Sequence, residues 1–239
     1  MENKMIVEIW SDVVCPYCYI GKRKLEKALS QFEDSRQVNV VWKSYILDPT
    51  MPDDYDKSTY EQIASKYGTT VEEAKATHRK LEEAAKAVGL DYDFDKVKPA
   101  NTMKSHQLIH FAKANGKQDE AEETLFRTYF TEGKNINNVD TLAEICSSLG
   151  LNKEEFLSAL AKETYHDDVR ADIYEAKQVG VQGVPFFVFN RKYAVRGGQE
   201  PAVFLEVLQK SFSEWRKDNP LPNLEIIEGQ VCTPDGKCD

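Results

Sequence analysis

No stretch of this 239-residue chain approaches the roughly 20 consecutive apolar residues that a bilayer-spanning helix needs, and 30% of its residues are charged. Basic side chains are in deficit. The 31 Lys and Arg against 40 Asp and Glu leave a formal net charge of -9, and no Lys/Arg cluster stands out. A nucleic-acid binder needs a basic stripe to neutralise phosphates, so that class is excluded, and the excess of acid is read as solubility. The amino terminus, MENKMIVEIWSDVVCPYC, also lacks the anatomy of a secretory signal. Its apolar part is short and is broken by Glu8 and by Ser11–Asp12. The expectation is a cytoplasmic protein with no membrane and no nucleic-acid partner. Metal-ligand spacing is missing too: there is one Cys-x-x-Cys and no second, and the four histidines His78, His106, His110 and His166 show no ligand pattern. No metal is expected.

Against those absences stand five cysteines. Cys15 and Cys18 form a close pair, Cys232 and Cys238 a looser one at the end of the chain, and Cys146 is alone. In a reducing cytosol an isolated Cys-x-x-Cys is a redox or metal site before it is a structural staple. Cys146 follows Ile145 on an apolar helical face and reads as an inert core thiol.

With 41% hydrophobic residues the chain can bury a sizeable core, as one large domain or one domain with an insertion. MIVEIW, from Met5 to Trp10, is a buried strand, and Pro16 sits where a helix should begin. Residues 38–47, VNVVWKSYIL, are a second strand. From about residue 58 to 180 the pattern is helical nearly throughout, about seven helices, punctuated by Gly89, Gly133, Gly150 and Gly180 and with Asn152 as a cap. The β pattern returns in PFFVF and in residues 192–196 across a turn at Asn190–Arg191, and an amphipathic helix closes from residue 200 to 215. This divides the chain into a first β-α-β part at 1–57, an inserted helical domain at 58–180, a β-β-α part at 181–217 and a tail at 218–239.

Disulfide exchange requires one thiolate that attacks and a second thiol near enough to resolve the mixed disulfide. Residues i and i+3 on a first helical turn stand about 5–6 Å apart, within a disulfide's reach. Cys15, at the expected helix start where unpaired N–H groups favour negative charge, is the candidate nucleophile; Cys18 is the resolving thiol. Pro16 stiffens the turn, and Tyr17 offers an aromatic face near the sulfur. Asp12 would oppose thiolate formation if it pointed at Cys15, and is expected to face solvent instead. Half of a zinc site, or an inert pair, are the alternatives. Val184–Pro185 is the second mark: proline sits best at a strand's first residue, and in a redox fold a proline here is commonly cis, the alternative being an ordinary trans proline.

IWSDVVCPYCYIGKRKLEKAL followed by GVQGVPFFVFNRKYAVRGGQ resembles the DsbA-like family of the thioredoxin superfamily, nearest the FrnE-like dithiol–disulfide isomerases. The resemblance implies an α/β thioredoxin fold, β-α-β then β-β-α, with a large inserted all-helical domain. It implies a cis Val184–Pro185 peptide facing Cys15 and Cys18, with Val184 contacting substrate backbone. Substrates would be disulfide- or thiol-containing proteins or small molecules, and a recycling reductant or oxidant is required. No cofactor is expected beyond the redox-active disulfide, with glutathione a candidate co-substrate. Because the segment from Asn101 to His106 resembles a pattern near the family's active site, His106 is a candidate cleft residue; the alternative is a hydrogen-bonded helical histidine. FrnE-like proteins can carry a second cysteine pair near the C-terminus, which suggests an auxiliary redox role for Cys232 and Cys238. A sister branch, the kappa glutathione transferases and hydroxychromene-carboxylate isomerases, has serine where Cys15 stands. A glutathione-linked enzyme of that type and a non-redox binding module are the rival functions. Oligomeric state is not legible.

Overall fold

The computed structural model describes residues 3–221 together with Glu225 and Ile227. Cys232 and Cys238 lie outside the described residues. Strand β1, Met5–Ser11, alternates: Met5, Val7 and Ile9 face one side of the sheet, while Trp10 joins a second apolar cluster on the other. Helix α1, Pro16–Gln31, has proline in its first turn and returns the chain to β2, Val38–Ser44, which lies parallel to β1 from Met5↔Val38 to Ser11↔Ser44. The strand expected to reach Leu47 stops at Ser44. Tyr45 N still donates to Ser11 O at 2.9 Å, but Leu47 N is captured by the Asp12 carboxylate at 2.7 Å, which draws the chain off the sheet.

Seven helices follow: α2 Thr59–Tyr67, α3 Val71–Lys86, α4 Met103–Ala114, α5 Gln118–Phe130, α6 Val139–Ser148, α7 Lys153–Ala161 and α8 His166–Gln178. Ser58–Glu61 and Thr70–Glu73 form reciprocal capping boxes, and Asn138 and Asn152 cap α6 and α7. One stretch departs from the expectation of near-continuous helix. After Gly89, Leu90, Tyr92 and Phe94 alternate with three aspartates, a period of two that suits extended chain. The stretch passes through the helical core without regular structure and turns at residues 94–96, with Asp93 N bonded to Phe130 O at 2.8 Å and Phe94 N to Glu82 at 3.1 Å.

Strands β3, Phe186–Phe189, and β4, Tyr193–Arg196, complete a four-stranded sheet of order β2-β1-β3-β4, β3 antiparallel to both β1 and β4. Asn190 and Arg191 make their turn with positive φ, and Arg191 pairs with the buried Glu8 of β1. Helix α9, Pro201–Asp218, packs with α1 on one sheet face, burying Leu25, Ala28, Phe204, Leu208 and Phe212 against Val7, Ile9, Phe187 and Phe189. On the other face Trp10 and Phe186 meet Ala176 of α8, and Trp10 Nε1 donates to Asp172 O. Together these elements make a mixed α/β thioredoxin fold with seven helices between its two β parts. Among the described residues no helix is long and apolar enough to cross a membrane.

Candidate active site

Helix α1 has two working faces: Leu25 and Ala28 pack on the sheet, while Cys18, Tyr19 and Ile20 enter the core of the helical block beside Phe126 and Tyr92. Its first turn therefore sits at the seam between the two. Cys15 is the N-cap residue, in extended conformation, with its N–H bonded to Asp12 O at 2.9 Å. Cys18 N closes back onto Cys15 O at 3.0 Å, and Tyr92 OH donates to Pro16 O at 2.8 Å, tying the turn to the segment between α3 and α4. The peptide Val184–Pro185 is cis, and Cys15 Sγ–H donates to Val184 O at 3.6 Å. Residues 169 positions apart in the chain are thus in contact.

Both thiols are free. Burial, the adjacent Cys15 thiol and its charge push the Cys18 thiol well above its ordinary value, against the weaker pull of the Asp12 backbone and the Ser11 hydroxyl. Cys15 borders a cleft of about 570 Å³, also lined by Val14, Pro16, Tyr17, Ile63, Phe94 and Val184. The volume is in the range of small-molecule sites. Tyr17, Leu47 and Tyr67 stand exposed on its lining.

Two expectations need correction. Asp12 does not face solvent. It is fully buried, with Oδ2 accepting the Leu47 N–H and Oδ1 turned to His106. His106 does not line the cleft: it is buried below the cysteine turn, its Nε2 3.4 Å from Asp12 Oδ1. Burial disfavours the imidazolium, but Asp12, Glu122 and the Tyr45 carbonyl outweigh it and raise the His106 pKa.

Glu122 and Tyr92 were not anticipated. Glu122 had a readable signal, because it falls in helical register with Leu125, Phe126 and Tyr129, an acid on the buried stripe of α5. Tyr92 had none, since its contact with Pro16 is made only in the folded chain. Cys146 is buried, with its thiol pushed up to about 11 by desolvation and by Glu154.

A four-stranded α/β sheet with a cysteine pair opening its first helix, opposite a cis-proline loop, defines a thioredoxin-fold protein of the thiol–disulfide oxidoreductase class. The model of the DSBA-like thioredoxin domain matches residues 6–209, and the chain belongs to that family. A probable DsbA oxidoreductase from Streptomyces coelicolor is 37% identical, with 98% of each chain covered and a TM-score of 0.83. The Bacillus subtilis protein YwbO is 27% identical over 77% of this chain and 86% of its own. Cytosolic disulfide reductase DsbM from Pseudomonas aeruginosa shares the fold at 14% identity and a TM-score of 0.58, covering 90% of this chain and 98% of its own. It has also been solved with GSH.

Proposed function

We propose that this protein is a dithiol–disulfide oxidoreductase of FrnE-like type, with Cys15–Pro16–Tyr17–Cys18 as its redox centre. Cys15 attacks the substrate disulfide and Cys18 resolves the mixed disulfide. One contrast carries this order: both thiols are buried, but Cys15 borders the cleft beside Val184 O, whereas Cys18 does not line it and has its thiolate disfavoured by burial. Val184 and Pro185 hold the substrate beside Cys15, and Pro16 and Tyr17 form the near wall. The working place is the cytoplasm, and glutathione is the proposed recycling thiol, a reading supported by the GSH-bound DsbM structure. Cys232 and Cys238 are proposed to relay electrons to the centre.

The test is reduction and isomerisation of a disulfide-bonded model protein by wild type, Cys15→Ser and Cys18→Ser. Loss of activity in Cys15→Ser, with a mixed disulfide trapped on Cys15 in Cys18→Ser, is expected. Equal activity in all three would end the redox reading of this pair, and absence of activity in all three would favour a binding module. Activity that survives Cys15→Ser but requires glutathione would favour a glutathione-linked isomerase or transferase. Unchanged turnover after removal of Cys232 and Cys238 would retire the relay.

A further inference from the structure

The cleft beside Cys15 reaches from the cysteine turn into the core of the helical block. Leu81 of α3, Phe94, Ala100 and Phe130 of α5 line it and are core residues, each at most 9% exposed. Val14, Ile63 of α2 and Val184 extend the same apolar wall. Peptide backbone laid against such a wall would leave N–H and C=O groups unpaired, whereas a compact apolar molecule gains by burial.

Three polar side chains on this lining, each at least nine-tenths buried, have an atom without a hydrogen-bond partner among the described residues. Thr102 is the N-cap of α4, yet its hydroxyl makes no capping bond. His78 holds Ala74 O through Nδ1 at 2.7 Å, and its ring is fixed edge-on to Tyr60 and Phe94, which leaves Nε2 as an acceptor. Tyr129 lies on α5; burial and the Asp12 charge push its phenol up, so its hydroxyl stays a donor. A few polar groups set in an apolar wall fix the orientation of a small ligand.

The charge of the lining narrows the ligand further. Its charged residues are Asp12, Asp48, Lys66 and Glu73. Lys66, the single cation among the described lining residues, is paired with Asp48 at 3.0 Å. Asp12 and Glu73 are occupied by the backbone N–H groups of Leu47 and Thr70. A disulfide that brings carboxylates therefore meets an excess of acid and no unpaired cation.

We propose that the cleft is the substrate pocket for small, uncharged aromatic disulfides, which the protein reduces in preference to anionic or protein disulfides. The inference rests on the roles assigned above to Cys15 and Cys18. With a ring of the substrate in the cleft, Cys15 Sγ bonds one substrate sulfur and the substrate S–S bond breaks, releasing the first aromatic thiolate. Cys18 Sγ then bonds Cys15 Sγ and displaces the second, the two cysteine protons passing to water. Two electrons thus move from the cysteine pair to the substrate, and the pair becomes a disulfide. Two glutathione thiols reduce it again and leave as glutathione disulfide; their sulfurs need only reach the mouth of the cleft.

The test mixes the reduced protein with dipyridyl disulfide, which is neutral, with bis(carboxynitrophenyl) disulfide, a dianion, and with a disulfide-bonded model protein. Each rate of reduction is divided by that of free dithiothreitol at the same pH, which removes intrinsic reactivity. The neutral aromatic disulfide is expected to lead the other two by about 10–100-fold. Tyr129→Phe, which removes a donor for the pyridyl nitrogen, should narrow that lead about fivefold. Ile63→Lys, which adds a cation to the wall, should reverse the order of the two aromatic disulfides. If it does not fold by circular dichroism, Tyr129→Phe decides alone. Equal normalised rates for all three disulfides in wild type would overturn the inference, as would an unchanged lead in the folded variants. Failure of wild type to reduce any of them faster than Cys15→Ser would overturn the redox reading itself, and this inference with it.

Discussion

Replacing Gly21 by alanine sets two effects of known size against each other. In a helix interior the change ordinarily favours folding by about 0.5–1 kcal/mol, because glycine loses more backbone freedom. At Gly21, in the second turn of α1, the new Cβ would lie 3.1 Å from Phe187 Cζ, 3.2 Å from Pro185 Cγ and 3.5 Å from Gly198 Cα. None of these yields easily: Phe187 is fully buried against Phe204, Pro185 is a closed ring, and Gly198 presents backbone. Overpacking of this kind costs about 1–3 kcal/mol. The net expectation is a loss of about 1 kcal/mol, or about 2–4 °C in Tm for a chain of this size. Relief requires α1 to move off β3, which also separates Cys15 from Val184 O, now 3.6 Å away. Turnover should therefore fall with stability. Gly198→Ala makes the reciprocal contact, its Cβ 3.3 Å from Gly21 Cα, so the double variant should be non-additive. Urea unfolding and disulfide-reductase turnover on the same samples provide the check. A Gly21→Ala protein about 1 kcal/mol more stable than wild type, with turnover intact, would refute the close approach of helix and proline.

Three further outcomes follow from the buried groups. The Glu122 carboxyl is neutral longer in the folded than in the unfolded chain, so wild type loses stability as pH rises from 4.5 to about 7. At about 1.4 kcal/mol per pH unit, Glu122→Gln should be more stable by roughly 3 kcal/mol at pH 8, with no gain near pH 4, as read by denaturant unfolding. Burial opposes the charge on Asp172, but His110, Lys43 and the Ser44 N–H outweigh it and hold the carboxyl below its usual range. Its contribution is complete above about pH 4 and is lost as pH falls through the depressed value. Asp172→Ala should cost about 3–5 kcal/mol at pH 7 and show a flatter acid limb in a pH series of melts. Phe126→Ala, at a fully buried ring stacked on Tyr19, should cost about 3–5 kcal/mol in urea unfolding. A loss below about 1 kcal/mol would mean that the site collapses around the change.

Much of the architecture was legible because local rules agree with the final fold. A β-branched run, a proline at a helix start and glycines after apolar stripes announce strands and helices whose backbones satisfy themselves. Reading failed where a side chain far along the chain decided the outcome. Strand β2 ends at Ser44 rather than Leu47 because Asp12 takes the Leu47 N–H. The segment after Gly89 is not helical because it links α3 to α4 through the helical core, with Phe130 O taking the Asp93 N–H. In the site, Cys15, Cys18 and the cis-proline loop could be read from their motifs, while the burial of Asp12 and His106 could not.

By itself the sequence determined the order of the elements, the pair of thiols at a helix start and the family to which the chain belongs, since all of these reside in local pattern and spacing. Tertiary structure alone decided that Asp12 is buried with its carboxylate on Leu47 N and near His106, and that Tyr92 ties the cysteine turn to the helical block. Those facts depend on contacts between residues tens of positions apart, and chain spacing carries no record of which distant side chains share a pocket.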